Sequence, residues 1–265
     1  MSQSVLVFDS GVGGLTVASE IRQRLPGVCL SYVSDTGYFP YGKKPLPRLR
    51  QRIITIVKKA VNQARPDIVV VACNTASTIV LDELRQEIAL PVVGVVPAIK
   101  PAAALTASGV VAIIGTRITA GSDYLDTLIH TYAGNCRVIV ENSEALVLEA
   151  EKKIAGAQVD REIIRQEISR LMQYRGAESA DILVLACTHF PLLAQEISSC
   201  LPPDIKMIDS GAAIANRVGQ LLGRPPAPGQ SPLHCDFYVS TPEHNYNTTQ
   251  VETLLAAQVR FKVLA

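Results

Sequence analysis

Short apolar, β-branched runs alternate with stretches of helical periodicity along almost the whole chain. VLVF (5–8) reads as a buried strand. LTVASEIRQRL (15–25) comes next as a helix with Leu15, Ala18, Ile21 and Leu25 on one face, and Pro26 and Gly27 end it. SYVSD (31–35) is a second strand, and the turn-rich YFPYGKKPLP leads to a long helix over 46–64 with Ile53, Ile56, Val57, Ala60 and Val61 turned inward. In DIVVVA (67–72), five consecutive apolar residues suit a strand covered on both faces, the environment of a parallel sheet. A helix over 75–89 and a strand at PVVGVV (91–96) come after it.

The pattern then repeats. A helix near 98–107 precedes the strand GVVAIIGT (109–116), which ends in a tight Gly turn. A helix around 121–132, a strand at CRVIV (136–140) and helices across 144–156 and 160–174 lead to DILVLA (181–186), a further helix and the strand IKMID (205–209). Strands separated by helices make βαβ units with right-handed crossovers, so the fold class is α/β with mostly parallel sheets. GRPPAPGQSP (223–232) reads as a loop or linker, and beyond it lie FYVST and a final helix-like stretch.

An internal duplication carries the most information. DIVVVACNT (67–75) and DILVLACTH (181–189) share Asp-Ile-x-Val-x-Ala-Cys in register, 114 residues apart. Each cysteine directly succeeds a buried parallel strand, at the end where open α/β sheets bind ligands. Two similar domains facing one another would bring Cys73 and Cys187 to a shared cleft. Either thiol alone is an ordinary strand-end cysteine; the matched pair points to common chemistry.

Composition narrows the function. The 265 residues allow one large domain or two of ordinary size, and a formal net charge of +1 gives no reason to expect nucleic acid or an anionic membrane as partner. No apolar run approaches the roughly 18 residues that span a bilayer. The opening MSQSVLVFDSG has no basic, signal-like region and enters a strand directly, so a cytoplasmic enzyme is expected. Six cysteines in a chain of this length do not make a disulfide scaffold, and none has C-x-x-C spacing; Cys29, Cys136, Cys200 and Cys235 lie in contexts without evident chemistry.

Two facing thiols suit one task. One thiolate removes the α-proton of an amino acid from one face and one thiol returns a proton to the other, inverting the centre. A thiol near its usual pKa of about 8.5 is within tuning range of neutrality, and helix N-termini are expected to ease thiolate formation. Asn74 and Thr75 after the first cysteine, and Thr188 and His189 after the second, supply donors for a substrate carboxylate or ammonium. His189 also suits protonating or orienting a partner near Cys187. FDSGVGG (8–14) is not G-x-G-x-x-G and has no P-loop Lys-Ser/Thr, so it reads as a backbone-and-hydroxyl cradle for a small anionic group. Asp9, at a neighbouring strand end, suits accepting the substrate ammonium or assisting proton transfer; Asp9 or Ser10 equally reads as a helix N-cap.

At this point the chain resembles the glutamate racemase family, within the wider aspartate/glutamate racemase group. The matching segments are DSGVGG (9–14), PYG (40–42), ACNTAS (72–77), GVVPAIKPA (94–102), IGT (114–116), CTHFPLL (187–193) and DSGAAIA (209–215). The resemblance implies two similar, pseudo-symmetric α/β domains with the active site between them, 1–97 with 208–265 and 98–207. It implies no pyridoxal phosphate, metal or nucleotide cofactor, and usually a homodimer. Carried over by position, Cys73 would be the base toward D-glutamate, assisted by Asp9, and Cys187 the base toward L-glutamate, assisted by His189. Asp9, Ser10, Pro40, Tyr41, Gly42, Asn74, Thr75, Thr116, Thr188 and His189 would hold the amino acid. A carboxylate near the second Cys-His pair would be Glu151, with Glu149 as the alternative. The TH after Cys187 and the PYG loop favour glutamate over aspartate, and the family's role is to supply D-glutamate for peptidoglycan.

Three other readings compete. A related racemase would differ only in side-chain recognition. A non-catalytic amino-acid-binding module would not need both thiols. A redox or metal protein using Cys187 and His189 would need further ligands that the spacing does not supply.

Overall fold

The expected strands close into two separate parallel sheets in the computed structural model, which describes residues 3–223 and 234–264. Among the described residues the strands are β1 (Ser4–Asp9), β2 (Cys29–Ser34), β3 (Ile68–Val71), β4 (Val92–Gly94), β5 (Val110–Gly115), β6 (Arg137–Asn142), β7 (Ile182–Ala186), β8 (Lys206–Ile208), β9 (His234–Val239) and β10 (Gln258–Val263). One sheet has the order β10-β9-β2-β1-β3-β4 and the other β6-β5-β7-β8. Every pairing is parallel, so each sheet presents all its strand C-termini at one edge. The fold is α/β with two mostly parallel sheets, as the alternation of elements implied.

The helices are α1 (Leu15–Arg24), α2 (Leu46–Ala64), α3 (Asn74–Glu87), α4 (Ile99–Leu105), α5 (Arg117–Ala120), α6 (Asp123–Tyr132), α7 (Ala145–Ile154), α8 (Arg161–Met172), α9 (Ala194–Ser198), α10 (Gly211–Leu222) and α11 (Thr248–Leu255). Three buried apolar clusters result. Leu6, Phe8, Val69 and Val71 face α2 and α3 through Leu49, Ile53, Val57, Val80 and Leu84. Val111, Ile113, Ile182 and Val184 face α4 and α6. The third cluster joins the inner faces of both sheets, from Val5, Val7 and Val70 to Ala112, Ile114, Leu183 and Leu185, through α1, α7, α8 and α10. Burial of each such side chain is worth about 1.5–3 kcal/mol, so this shared layer fixes the two sheets against one another.

The structure refines three expectations. The helix expected around 121–132 is α6, whose Ser122 cap accepts the Leu125 amide, and a further short helix, α5, capped by the Thr116 hydroxyl, precedes it. The helix expected between DILVLA and IKMID is the short α9, which a 3₁₀ turn, Phe190–Leu193, precedes, with Pro191 in its first turn, where a missing N–H costs no bond. The chain end is more ordered than its pattern suggested: α11 lies between β9 and β10, and β10 is an edge strand alternating exposed Gln258, Arg260 and Lys262 with Val259 and Phe261. Most of the expected linker over 223–232 lies outside the described residues; Gly223, at φ 73°, ends α10.

The packing of α2 is directly testable. Ile53 is fully buried, whereas Arg50 pairs with Glu83 at 3.1 Å on the surface. Urea denaturation should show Ile53→Ala losing about 2–5 kcal/mol and Arg50→Ala less than about 1 kcal/mol.

Candidate active site

The site begins at strand ends. β1 and β3 are neighbours in the first sheet, so Asp9 and Ser10 emerge beside Ala72 and Cys73. β5 and β7 are neighbours in the second, so Thr116 emerges beside Cys187. Cys73 is the residue before α3, with extended backbone (φ −134°, ψ 116°), and its thiol lies 3.8 Å from the Ser10 hydroxyl. The Cys187 sulfur lies 3.8 Å from His189 Nδ1. Both cysteines are 5% exposed, and both line one small cavity.

Ser10, Pro40, Tyr41, Gly42, Asn74, Thr75, Thr116, Thr188 and His189 also line that cavity. Asp9 does not. It is fully buried beneath the wall, where its Oδ1 accepts the Gly11 amide at 2.7 Å and its Oδ2 accepts the Thr188 hydroxyl at 3.0 Å. Each of its oxygens thus already meets one protein donor. It does not cap a helix, because α1 starts at Leu15 after Gly14.

Glu151 reaches from α7 to His189, with Oε1 to Nε2 at 2.8 Å, and the same oxygen accepts the Val12 amide at 2.8 Å. Glu149 turns elsewhere, to Lys152 Nζ at 2.6 Å and the Asp160 amide at 2.7 Å. Of the two, only Glu151 meets the histidine. Gly13 allows the close approach of the two loops, since a Cβ there would run into the His189 ring and the Thr188 hydroxyl. Tyr41 is oriented from behind: its hydroxyl donates to Asp35 Oδ2 at 2.8 Å, and Arg52 grips the same carboxylate at 2.7 and 3.0 Å. Thr75 and Thr116 meet hydroxyl to hydroxyl at 2.9 Å, one from each half.

Three wall residues escaped the sequence reading: Phe39, Glu144 and Val147. Phe39 directly precedes the PYG motif, and its ring lies tilted against the His189 ring, with centroids 5.9 Å apart. Glu144 and Val147 come just after β6, so the strand-end rule that identifies the other residues reaches them too once β6 is included. Among the described residues, no cluster of three or more His, Cys, Asp or Glu is placed to hold a metal ion, and no helix is long and apolar enough to cross a membrane.

Known proteins are similar to this chain in sequence and fold. Residues 38–218 match the family model described as Asp/Glu/Hydantoin racemase. A glutamate racemase of Sodalis glossinidius is 45% identical over 219 residues, covering 83% of this chain and 75% of its own length. One from Klebsiella pneumoniae is 48% identical over 220 residues, covering 83% and 77%. The crystal structure of Escherichia coli glutamate racemase, in complex with L-glutamate and the activator UDP-MurNAc-Ala, superposes with a TM-score of 0.89 at 38% identity, covering 100% of this chain and 99% of that one. The chain belongs to the Asp/Glu/hydantoin racemase family. It is a racemase, an isomerase.

Electrostatics divide the racemase's cavity into unlike halves. Burial pushes the Cys73 thiol far above its usual range, and the nearby Asp9 and Cys187 add to the shift; the Ala76 amide and the Ser10 hydroxyl oppose it without prevailing. The helix N-terminus does favour the Cys73 thiolate through the Ala76 amide, as expected, but the desolvation cost is larger. Burial also raises Asp9, against the opposing charge of His189 and the hydrogen bonds from Gly11 and Thr188. At His189 burial acts in the opposite sense, disfavouring the imidazolium. Hydrogen bonds to Cys187 and Glu151, with the charges of Cys187 and Asp9, outweigh it and hold the ring well above 6.5. One side of the racemase favours a neutral thiol, the other a cationic ring beside sulfur.

The charge on His189 makes the racemase's stability depend on pH. Because His189 binds its proton more tightly folded than unfolded, its stabilisation is fully present below about pH 6.5 and is lost as pH rises through the folded value. Glu151→Gln removes one cause of the increase. In denaturation curves taken across pH, that variant should lose the histidine contribution at lower pH than the wild type; coincident profiles would show that Glu151 does not set the His189 charge.

Proposed function

We propose that this racemase interconverts L-glutamate and D-glutamate by proton transfer between Cys73 and Cys187. The observation that carries the proposal is that both thiols line one small cavity, although they lie 114 residues apart. In the L-to-D direction a Cys187 thiolate takes the α-proton, and the Cys73 thiol delivers its own proton to the opposite face. One S–H bond forms as the other breaks, and the centre inverts. The reverse direction exchanges the roles. The raised affinity of Cys73 for its proton and the cationic His189 beside Cys187 support the L-to-D starting state.

Side chains and backbone carry the chemistry in this scheme, without pyridoxal phosphate, metal or nucleotide. Asp9 assists Cys73 from below, through Ser10 and its charge, and Glu151 keeps His189 oriented and charged. Ser10, Asn74, Thr75, Thr116, Thr188 and the PYG loop at Pro40, Tyr41 and Gly42 present hydroxyl, amide and backbone groups to the two carboxylates, which in a buried site must be met by donors. The naming of the relatives and the L-glutamate bound to the Escherichia coli enzyme favour glutamate over aspartate. We further propose a first domain of 1–97 with 208–265 and a second of 98–207, in keeping with sheet membership, a homodimer, and a cytoplasmic role supplying D-glutamate for peptidoglycan.

Cys73→Ala and Cys187→Ala, assayed by circular dichroism with L- and D-glutamate, should each lower racemisation by at least about a thousandfold while retaining the far-ultraviolet spectrum. Activity within tenfold of wild type in either variant refutes the two-thiol scheme, and a non-catalytic binding module predicts no turnover even in the wild type. In deuterated water, product made from either enantiomer should carry deuterium at the α-carbon, whereas unlabelled product would exclude proton exchange through the thiols.

A further inference from the structure

The first backbone donors of the DSGVGG loop are taken by the protein's own carboxylates. Gly11 N–H donates to Asp9 Oδ1 at 2.7 Å, and Val12 N–H donates to Glu151 Oε1 at 2.8 Å. The cradle that the sequence suggested for a small anion is thus partly filled from within. It also ties Asp9, on the Cys73 side of the racemase, to the Glu151–His189 pair on the Cys187 side. Gly11 leaves room for this, because a Cβ there would run into Glu151 Oε1.

The peptide between Gly11 and Val12 is held at both of its polar ends. Its N–H meets Glu151, and its carbonyl accepts the Tyr32 hydroxyl at 2.9 Å. A peptide group is planar, so an anchor on its oxygen also sets the direction of its N–H. Hydrogen bonds in series through one peptide polarise each other and strengthen. Tyr32 belongs to β2, is fully buried, and lies tilted against Phe237 of β9 with ring centroids 4.7 Å apart. It stands outside the cavity wall. Burial, with Asp9, Tyr246, Glu151 and Cys73 nearby, holds its phenol well above the usual range, so it remains a donor. Glu151 needs such an anchor: its side chain is 17% exposed and has a route to water, and Val12 and His189 are the groups that hold its Oε1.

We infer that Tyr32 is a positioning residue of the racemase: its hydroxyl, through the Gly11–Val12 peptide, holds Glu151 against the His189 ring beside Cys187. Of the ionisable groups that face His189, Cys187 lies in its own loop, Asp9 ends β1 and Glu151 comes from α7. Glu151 is the one bonded to the Gly11–Val12 peptide. A hydroxyl on the first sheet thereby acts on the acid–base pair of the second. What that pair does for the substrate rests on the two-thiol reading above; what Tyr32 does for the pair rests on these hydrogen bonds.

The test removes one hydroxyl at a time. Tyr32→Phe keeps the ring and its packing but frees the loop peptide, so Glu151 can turn toward water. Nuclear magnetic resonance titration of the four histidines, with His189 assigned by its loss in His189→Gln, reads the consequence. In Tyr32→Phe the proton affinity of His189 should fall about threefold to tenfold, the fold-change of one hydrogen bond, moving its midpoint down by about half to one pH unit. With either enantiomer of glutamate, kcat should fall about threefold or more while KM stays within about threefold, because Tyr32 does not reach the cavity. Tyr246→Phe removes a neighbouring phenol hydroxyl that meets Ser34 at 2.9 Å instead of the loop, and should leave the His189 midpoint in place. In a Glu151→Gln background, Tyr32→Phe should add little further shift, as expected of two residues acting through one contact. An unmoved or raised midpoint in Tyr32→Phe overturns the inference, as does an equal shift in Tyr246→Phe or a full additional shift on top of Glu151→Gln. The titration is read in the resting protein, so it stands apart from the two-thiol reading, which the cysteine variants decide.

Discussion

The hydrogen bonds that cross from one sheet to the other set the distance between the two thiols. Thr188 donates to Asp9, Val12 and His189 share one oxygen of Glu151, and Thr75 meets Thr116. Each joins a loop after a strand in one half to a loop or helix of the other. The Thr188–Asp9 and Thr75–Thr116 bonds are buried and those to Glu151 partly so, and out of water a hydrogen bond resists competition and an unmade one is costly. With the Thr16 hydroxyl on the Thr188 carbonyl, they add direction to the apolar packing, which alone fixes neither the angle nor the spacing of two sulfurs across one substrate.

Burial gives the same residues their chemical character. Asp9, Cys73 and His189 lie out of solvent, and each departs from its ordinary titration for a distinct reason: desolvation for the acid and the thiol, and partners that outweigh desolvation for the histidine. The resulting asymmetry does not arise from the duplicated motifs, which are nearly alike up to the cysteine. It comes from the residues immediately after each cysteine. Asn74 opens a regular helix after Cys73, whereas Thr188 and His189 turn into a 3₁₀ segment that aims a ring at Cys187 and is braced by α7. Similar strands therefore hold unlike acid–base partners.

Strand ends connect fold to site throughout. Most cavity residues lie just beyond β1, β3, β5, β6 or β7, and the parallel arrangement sends all of those ends the same way within each sheet. The exception is the 39–42 segment, a loop after β2 held by Tyr41 on the Asp35–Arg52 pair and by Arg117 on the Gly42 carbonyl. That loop closes the cavity, and Glu144 lies against it.

Much of this was legible in the linear chain. Continuous apolar runs marked the strands and period-3.6 patterns the long helices, with 46–64 matching α2 at both ends, because burial of a run or of one face is a local property of the residues. The repeated Asp-Ile-x-Val-x-Ala-Cys singled out both thiols. Elements with weak burial contrast were obscure: β10 alternates on a sheet edge, and α5 is a single turn held by the Thr116 cap. Pairings across the molecule were beyond local reading. Whether Glu149 or Glu151 meets His189, that Asp9 is buried below the wall rather than on it, and that Glu144 stands over Gly42 all depend on how two sheets pack. The linear order of residues thus specifies which side chains have the required chemistry and at which strand ends they emerge. Which of them reach one another is a property of the packed molecule, because it depends on the relative orientation of surfaces more than a hundred residues apart, which no local periodicity encodes.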